Sequence, residues 1–125
     1  MADINYKTYT SPSGFEVLVG QDDRSNDLLT FKVARANDLW FHISGFPGSH
    51  VVLRCAESDR PPDKEDIRHA AMLAAFHSKM KGAGTVAVHY CRAGDVRKPR
   101  KAPPGQVQIK NFKQVKVKAQ LPQQE

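Results

Sequence analysis

Five histidines carry most of the reactive chemistry of this 125-residue chain, and their spacing limits what they can do together. His42 and His50 flank the Gly45-Phe46-Pro47-Gly48 turn and are the pair with a chance of meeting in space. A zinc site would need at least one further ligand. A tight turn would also put positions 42 and 50 on opposite faces, because side chains along a strand alternate with a period of two. His69 and His77 lie two turns apart on one predicted helix and about 80° around its axis, too far for a shared ion. No H-E-x-x-H spacing occurs. The expectation is therefore no bound metal and no cofactor. For covalent catalysis, Asp38, Ser49 and His50 contain the residue types of a triad, but adjacent Ser49 and His50 in one strand point apart. Cys91 shares a strand face with His89 and would be the candidate activated thiol, against the simpler reading of a half-buried cysteine at a strand end. No Gly-rich loop of the dinucleotide-binding or P-loop type is present, so nucleotide hydrolysis has no support.

The cations are more informative. Between Arg92 and Lys118 lie Arg92, Arg97, Lys98, Arg100, Lys101, Lys110, Lys113, Lys116 and Lys118, opposed by Asp95 alone. That segment carries a formal +8 and the rest of the chain −2. Such asymmetry predicts a surface for a polyanion, nucleic acid before membrane, since no amphipathic apolar helix accompanies the charge. Proline stiffens the stretch Arg97 to Gly105, so holding its cations against phosphates costs less entropy. Arginine offers planar bidentate donors to phosphate and lysine a point charge. The lysines that follow extend the same surface in this reading. Tyr90 and Phe112 are the only aromatics nearby, so base stacking is expected to be minor and contacts mainly to backbone and shape.

The elements that must position these groups read as a single α+β domain: a mostly antiparallel sheet with one long and one short helix on one face. Ile4–Tyr9 and Phe15–Val19 form a hairpin across Thr10–Gly14. A short helix runs from about Arg24 to Ala34, with Ser25 or Asn26 as its cap. Leu39–Ile43 and Ser49–Arg54 are strands. The long helix starts at an Asp63 cap, with Glu65 and Asp66 in its first turn, carries its apolar stripe to Met80 and stops at Gly82 and Gly84. Thr85–Tyr90 is a strand. Val107 and Ile109 form a last hairpin with Val115 and Val117, connected by Asn111–Lys113, with Lys110, Lys116 and Lys118 on its wet face. Residues 119–125 read as a flexible tail beyond a core of about 14–118. No run is long and apolar enough to span a membrane, Met1–Thr10 lacks the pattern of a secretion signal, and two separated cysteines exclude a disulfide scaffold. A cytoplasmic location with reduced thiols is expected.

Asp38-Leu39-Trp40-Phe41-His42-Ile43 followed by Pro47-Gly48-Ser49-His50-Val51 resembles the central motif of the NFACT-R RNA-binding domain family. Further pieces agree in order: Val17–Gly20 with Asn26-Asp27 and Leu29, Ala70-Ala71 with Leu73–Ser78, Val96–Pro99 with Pro104–Val107, and Val115-Lys116-Val117. The resemblance covers about residues 14–118. In larger members this domain is the C-terminal part of ribosome-quality-control factors that bind the large subunit with tRNA. The resemblance implies an RNA partner, tRNA or large-subunit rRNA, and a place on the ribosome or in tRNA metabolism. The other segments of those factors have no match here, so the chain looks like a stand-alone member, and recruitment of alanyl-tRNA is not carried over.

Within the motif, Asp38 orients the turn into its strand, while Trp40 and Phe41 point to opposite faces, one in the core and one accessible. Asp38, Trp40, His42, Ser49 and His50 are the candidates for specific RNA contacts, and the nine cations above for phosphate contacts. The alternative is that this hairpin serves folding. The leading function is a non-catalytic module for structured RNA. The alternatives are a small RNA-modifying or RNA-processing enzyme using His42, His50 or Cys91, and a protein–protein adaptor on the ribosome.

Overall fold

The computed structural model describes residues 3–122. Its main sheet is antiparallel throughout, in the spatial order β1 (Tyr6–Thr10), β2 (Glu16–Gly20), β4 (Val51–Arg54), β3 (Leu39–Ile43), β5 (Thr85–Arg92) and β8 (Lys113–Lys118). The short strands β6 (Val96–Arg97) and β7 (Gln108–Ile109) pair with each other. With helices α1 (Asp23–Leu28) and α2 (Lys64–Phe76), this is the expected α+β domain.

The helices, however, do not share a face. Strand alternation sends Val17, Val19, Phe41, Ile43, Val51, Leu53 and Val88 to one side, where they bury against Ala70, Ala71, Leu73, Ala74 and Ala75 of α2. Leu18, Trp40 and Val52 point to the other side, where Leu29 from the α1 segment and Val96, Val107 and Ile109 from β6–β7 cover them. Trp40 and Phe41 do point apart, but both are buried, because each face of the central strands has its own cover. The accessible aromatic expected at this pair does not exist.

Asp63 caps α2 as predicted. Its carboxylate accepts the N–H groups of Glu65 (2.9 Å) and Asp66 (3.0 Å), and Asp66 accepts that of Asp63 (2.9 Å). Such a reciprocal cap contributes about 0.5–2 kcal/mol. Asp66 also accepts the Ser13 N–H (2.9 Å), which ties the β1–β2 turn to the helix. The helix ends at Phe76, short of Met80, because the Ser78 hydroxyl bonds back to the Ala75 carbonyl (2.6 Å) and Ser78 bridges to Gly48. A Cβ on Gly48 would sit 2.8 Å from that of Ser78, so only glycine lets the β3–β4 turn dock there.

Three other expectations are corrected. The first helix is capped by Asp22, and after Leu28 it widens into a π-turn, Leu29–Val33. Ser25 and Asn26 are instead buried inside it, where Ser25 accepts the Asn5 N–H (2.8 Å) and Asn26 that of His50 (3.1 Å). The last hairpin does not form. β7 pairs with β6, Asn111 takes a left-handed turn (φ 52°), and β8 leaves to become the sheet edge beside β5. Both halves carry the same alternation, so the pattern could not tell which partner each would choose. Finally, Ala119 is buried and its N–H donates to Gly84 (2.9 Å), so order extends past Lys118; residues 123–125 lie outside the described residues.

Candidate nucleic-acid interface

Trp40 pairs with Val52 across β3 and β4, and continuing that register by two residues brings His42 opposite His50. The two histidines therefore share a face, against the expectation, with ring centroids 5.6 Å apart. On the other flank of β3, His42 pairs with His89 and Trp40 with Cys91, so these also face the side away from α2. His42 lies parallel to Trp40 (9°, 5.9 Å), and His89 contacts Phe112 at 4.6 Å.

A chain of hydrogen bonds fixes the floor. The Trp40 indole N–H donates to Thr30 Oγ1 (3.1 Å), which lies 2.8 Å from His50 Nδ1, and His50 Nε2 lies 3.3 Å from the Gly105 carbonyl. The same threonine hydroxyl donates to the Asn26 carbonyl (2.8 Å), so Thr30 Oγ1 ties Trp40, His50 and the α1 segment together at one point. The His50 ring is held in its neutral form. Burial, reinforced by His42, pushes the His50 pKa down to about 4, so that neutral form holds at pH 7. Burial also lowers the His42 pKa, with His89 adding to the effect.

His50 thus anchors a strap, residues 96–109, across the sheet. Asp27 makes the second anchor. It accepts the Gly105 N–H (3.0 Å) and pairs with Lys98 Nζ (2.9 Å). Gly105 has φ +86°, and a Cβ there would stand 3.0 Å from the Asp23 carboxylate, so the doubly held position requires glycine. Between strap and sheet opens a cleft of about 330 Å³, lined by His42, His50, His89, Gly105, Val107 and Ile109 among others.

The structure separates the proposed contact residues. Asp38 is buried and saturated: it accepts from the N–H groups of Arg35 (2.9 Å), Cys55 (2.8 Å) and Ala56 (2.8 Å) and pairs with Arg54 (3.3 Å). It and Trp40 are buried and hold the motif together, with Trp40 at the bottom of the cleft. Ser49 faces a different cleft, beside His77, Lys79 and Lys81, and does not join His42 and His50. No triad therefore assembles from Asp38, Ser49 and His50. Cys91 is buried, and that burial, with Asp95 adding, pushes its thiol up to about 12, so it is no activated nucleophile. Among the described residues no group of three metal ligands occurs.

The cations divide as well. By register, Lys116 and Lys118 lie on the His42–His89 face of the sheet, whereas Lys113, opposite Tyr90, and Arg92, opposite Leu39, lie on the α2 face. Lys98 is neutralised by Asp27, while Arg97, Arg100, Lys101 and Lys110 are exposed on and beside the strap. The single continuous surface expected from the sequence is in fact two. Two residues of this face were not among the expected contacts: His89, weighed only as a partner for Cys91, and Phe112, assigned a minor stacking role and 47% exposed. The alternation of β5 carried the signal for His89, but its register against β3 was not legible.

Residues 5–111 match the family model described as the NFACT protein RNA binding domain. Among characterised proteins, the chain is 45% identical over 99 residues to the Rqc2 homolog RqcH of Bacillus subtilis, a match covering 79% of this chain and 17% of that protein. The Rqc2 homolog RqcH of Streptococcus suis is 39% identical over 101 residues, covering 81% of this chain and 18% of the relative. The chain therefore spans less than a fifth of the length of these relatives. Among solved structures, the C-terminal part of the fibronectin/fibrinogen-binding protein of Streptococcus suis superimposes with a TM-score of 0.84 at 35% identity, over 94% of this chain and 46% of that one.

Proposed function

Since this chain belongs to the NFACT RNA-binding domain family, we propose that it is a non-catalytic module for structured RNA, tRNA or large-subunit rRNA, acting in the cytoplasm in ribosome quality control or tRNA metabolism. The observation that carries this reading is the sheet face left open beside the strap. There His42, His89 and Phe112 stand next to Lys116 and Lys118, with the strap cations Arg97, Arg100 and Lys101 exposed nearby. Lysines on a flat antiparallel face give phosphates fixed positions, and the rigidly held strap adds arginines without a large ordering cost. The candidate nucleophiles and bases are buried, dispersed or neutral, which supports binding over chemistry.

Affinity for tRNA or rRNA fragments should fall steeply with salt, since each neutralised phosphate releases counterions. Replacing Lys116 and Lys118 by Ala should reduce the slope of log affinity against log salt by about two. Replacing Arg92 and Lys113, on the α2 face, should leave it unchanged. Titration by fluorescence anisotropy at several salt concentrations reads both. Salt-independent binding, or an equal loss from the two pairs, would remove the open face from the account.

A further inference from the structure

The cleft under the strap is built differently from the lysine-bearing surface beside it. Its floor is a stack of flat rings, with His42 lying on Trp40 and His89 alongside. Its opposite wall is aliphatic, from Val107 and Ile109, and Gln106 stands exposed at the rim. At about 330 Å³ it lies near the lower end of the range for small-molecule sites, roughly 300–1,000 Å³. That is room for a flat ring system. The positive charge lies outside it, at Lys116 and Lys118 on the same face of the sheet.

We propose that this cleft receives a single unpaired nucleobase of the bound RNA, stacked against the His42 and His89 rings beneath the strap, while Lys116 and Lys118 hold its flanking phosphates. The proposal rests on the RNA-binding reading above and adds what the RNA must contain: a base free of pairing, as in a loop, bulge or single-stranded end. Flat walls select a flat group, and every base has a π-face, so stacking tolerates any sequence. Burial holds His42 and His50, which line the cleft, toward the neutral form. A neutral planar group carried on a charged backbone satisfies cleft and rim together. Histidine rings thus supply the stacking surface that a count of Phe, Tyr and Trp near the basic segment leaves out.

Trp40 is the only tryptophan in the chain and adjoins the cleft, so its emission reports occupancy directly. The test titrates the full chain with two RNAs of equal phosphate number, a hairpin with an unpaired loop and a fully paired duplex. The loop RNA should bind on the order of tenfold more tightly and quench Trp40, while the duplex binds without quenching. His89→Ala, which removes one ring, and Val107→Phe, which fills the space, should each abolish the preference, and Val107→Phe should do so with duplex affinity unchanged. Melting curves identify which variant is folded. Equal affinity for the two RNAs with unaltered Trp40 emission would overturn the cleft's role and leave RNA binding standing. A folded variant that keeps the preference would overturn it too. Binding of neither RNA would overturn the RNA reading and this inference together.

Discussion

The two faces of the sheet are made by the same strands and end differently. On the α2 side the central strands present Phe41, Ile43, Val51, Leu53 and Val88, and an alanine-rich helix closes over them. On the other side the cover runs out. The α1 segment and the strap bury Trp40, Leu18 and Val52, but β5 and β8 are left with His89, Gln114, Lys116 and Lys118 half-buried or exposed. The closed face provides stability, and the open one provides a surface already fixed in shape. Recognition falls where the covering elements stop and the rigid sheet continues.

The largest effect that separates the faces should come from the closed one. Phe41 is fully buried in the α2-side core, and Phe41→Ala should cost about 3–5 kcal/mol of stability. Affinity per folded molecule should stay unchanged, because the residue faces away from the cleft. Denaturant melts combined with RNA titration test this, and an affinity loss in excess of the unfolded fraction would break the division between faces.

A somewhat smaller effect belongs to the open face and to pH. His50 ionises at about 4 in the folded protein and near 6.5 when unfolded. The unfolded chain therefore binds more protons between those values, and stability present above pH 6.5 is lost as pH falls toward 4. The loss from His50 alone is about 3 kcal/mol by the linkage conversion. Stability measured from pH 7.5 to 4.5 should show this slope, and His50→Gln should flatten it. An unchanged slope in the variant would move the acid sensitivity to His42, His69 or His77, whose pKa values burial also lowers.

The parts legible in the sequence were those written in local chemistry. Asp63 with Asp66 announces a helix start because a cap is settled within four residues. Strand alternation at Trp40-Phe41 gave the correct faces. What stayed hidden depended on partners distant in sequence. Val107 and Ile109 carry the same alternation as Val115 and Val117, and only the fold decides that one pair covers Trp40 while the other lines β5. The motif at Asp38–His50 stood out as a group, yet much of it is scaffold. Asp38 draws together three backbone N–H groups, and His50 ties the strap to Thr30. The basic segment was visible as charge, but its division between two faces follows from the β5–β8 register, and the loss of Lys98 from the free cations follows from Asp27.

The central claim is that RNA meets the open face and not the helical one, and mapping ultraviolet crosslinks between the protein and tRNA by mass spectrometry tests it most directly. The account predicts adducts at His89 and Phe112 and in the strap between Arg97 and Ile109, with none on α2. Adducts confined to Lys64–Phe76 of α2, or to Tyr90 and Lys113 on its side of the sheet, would contradict it.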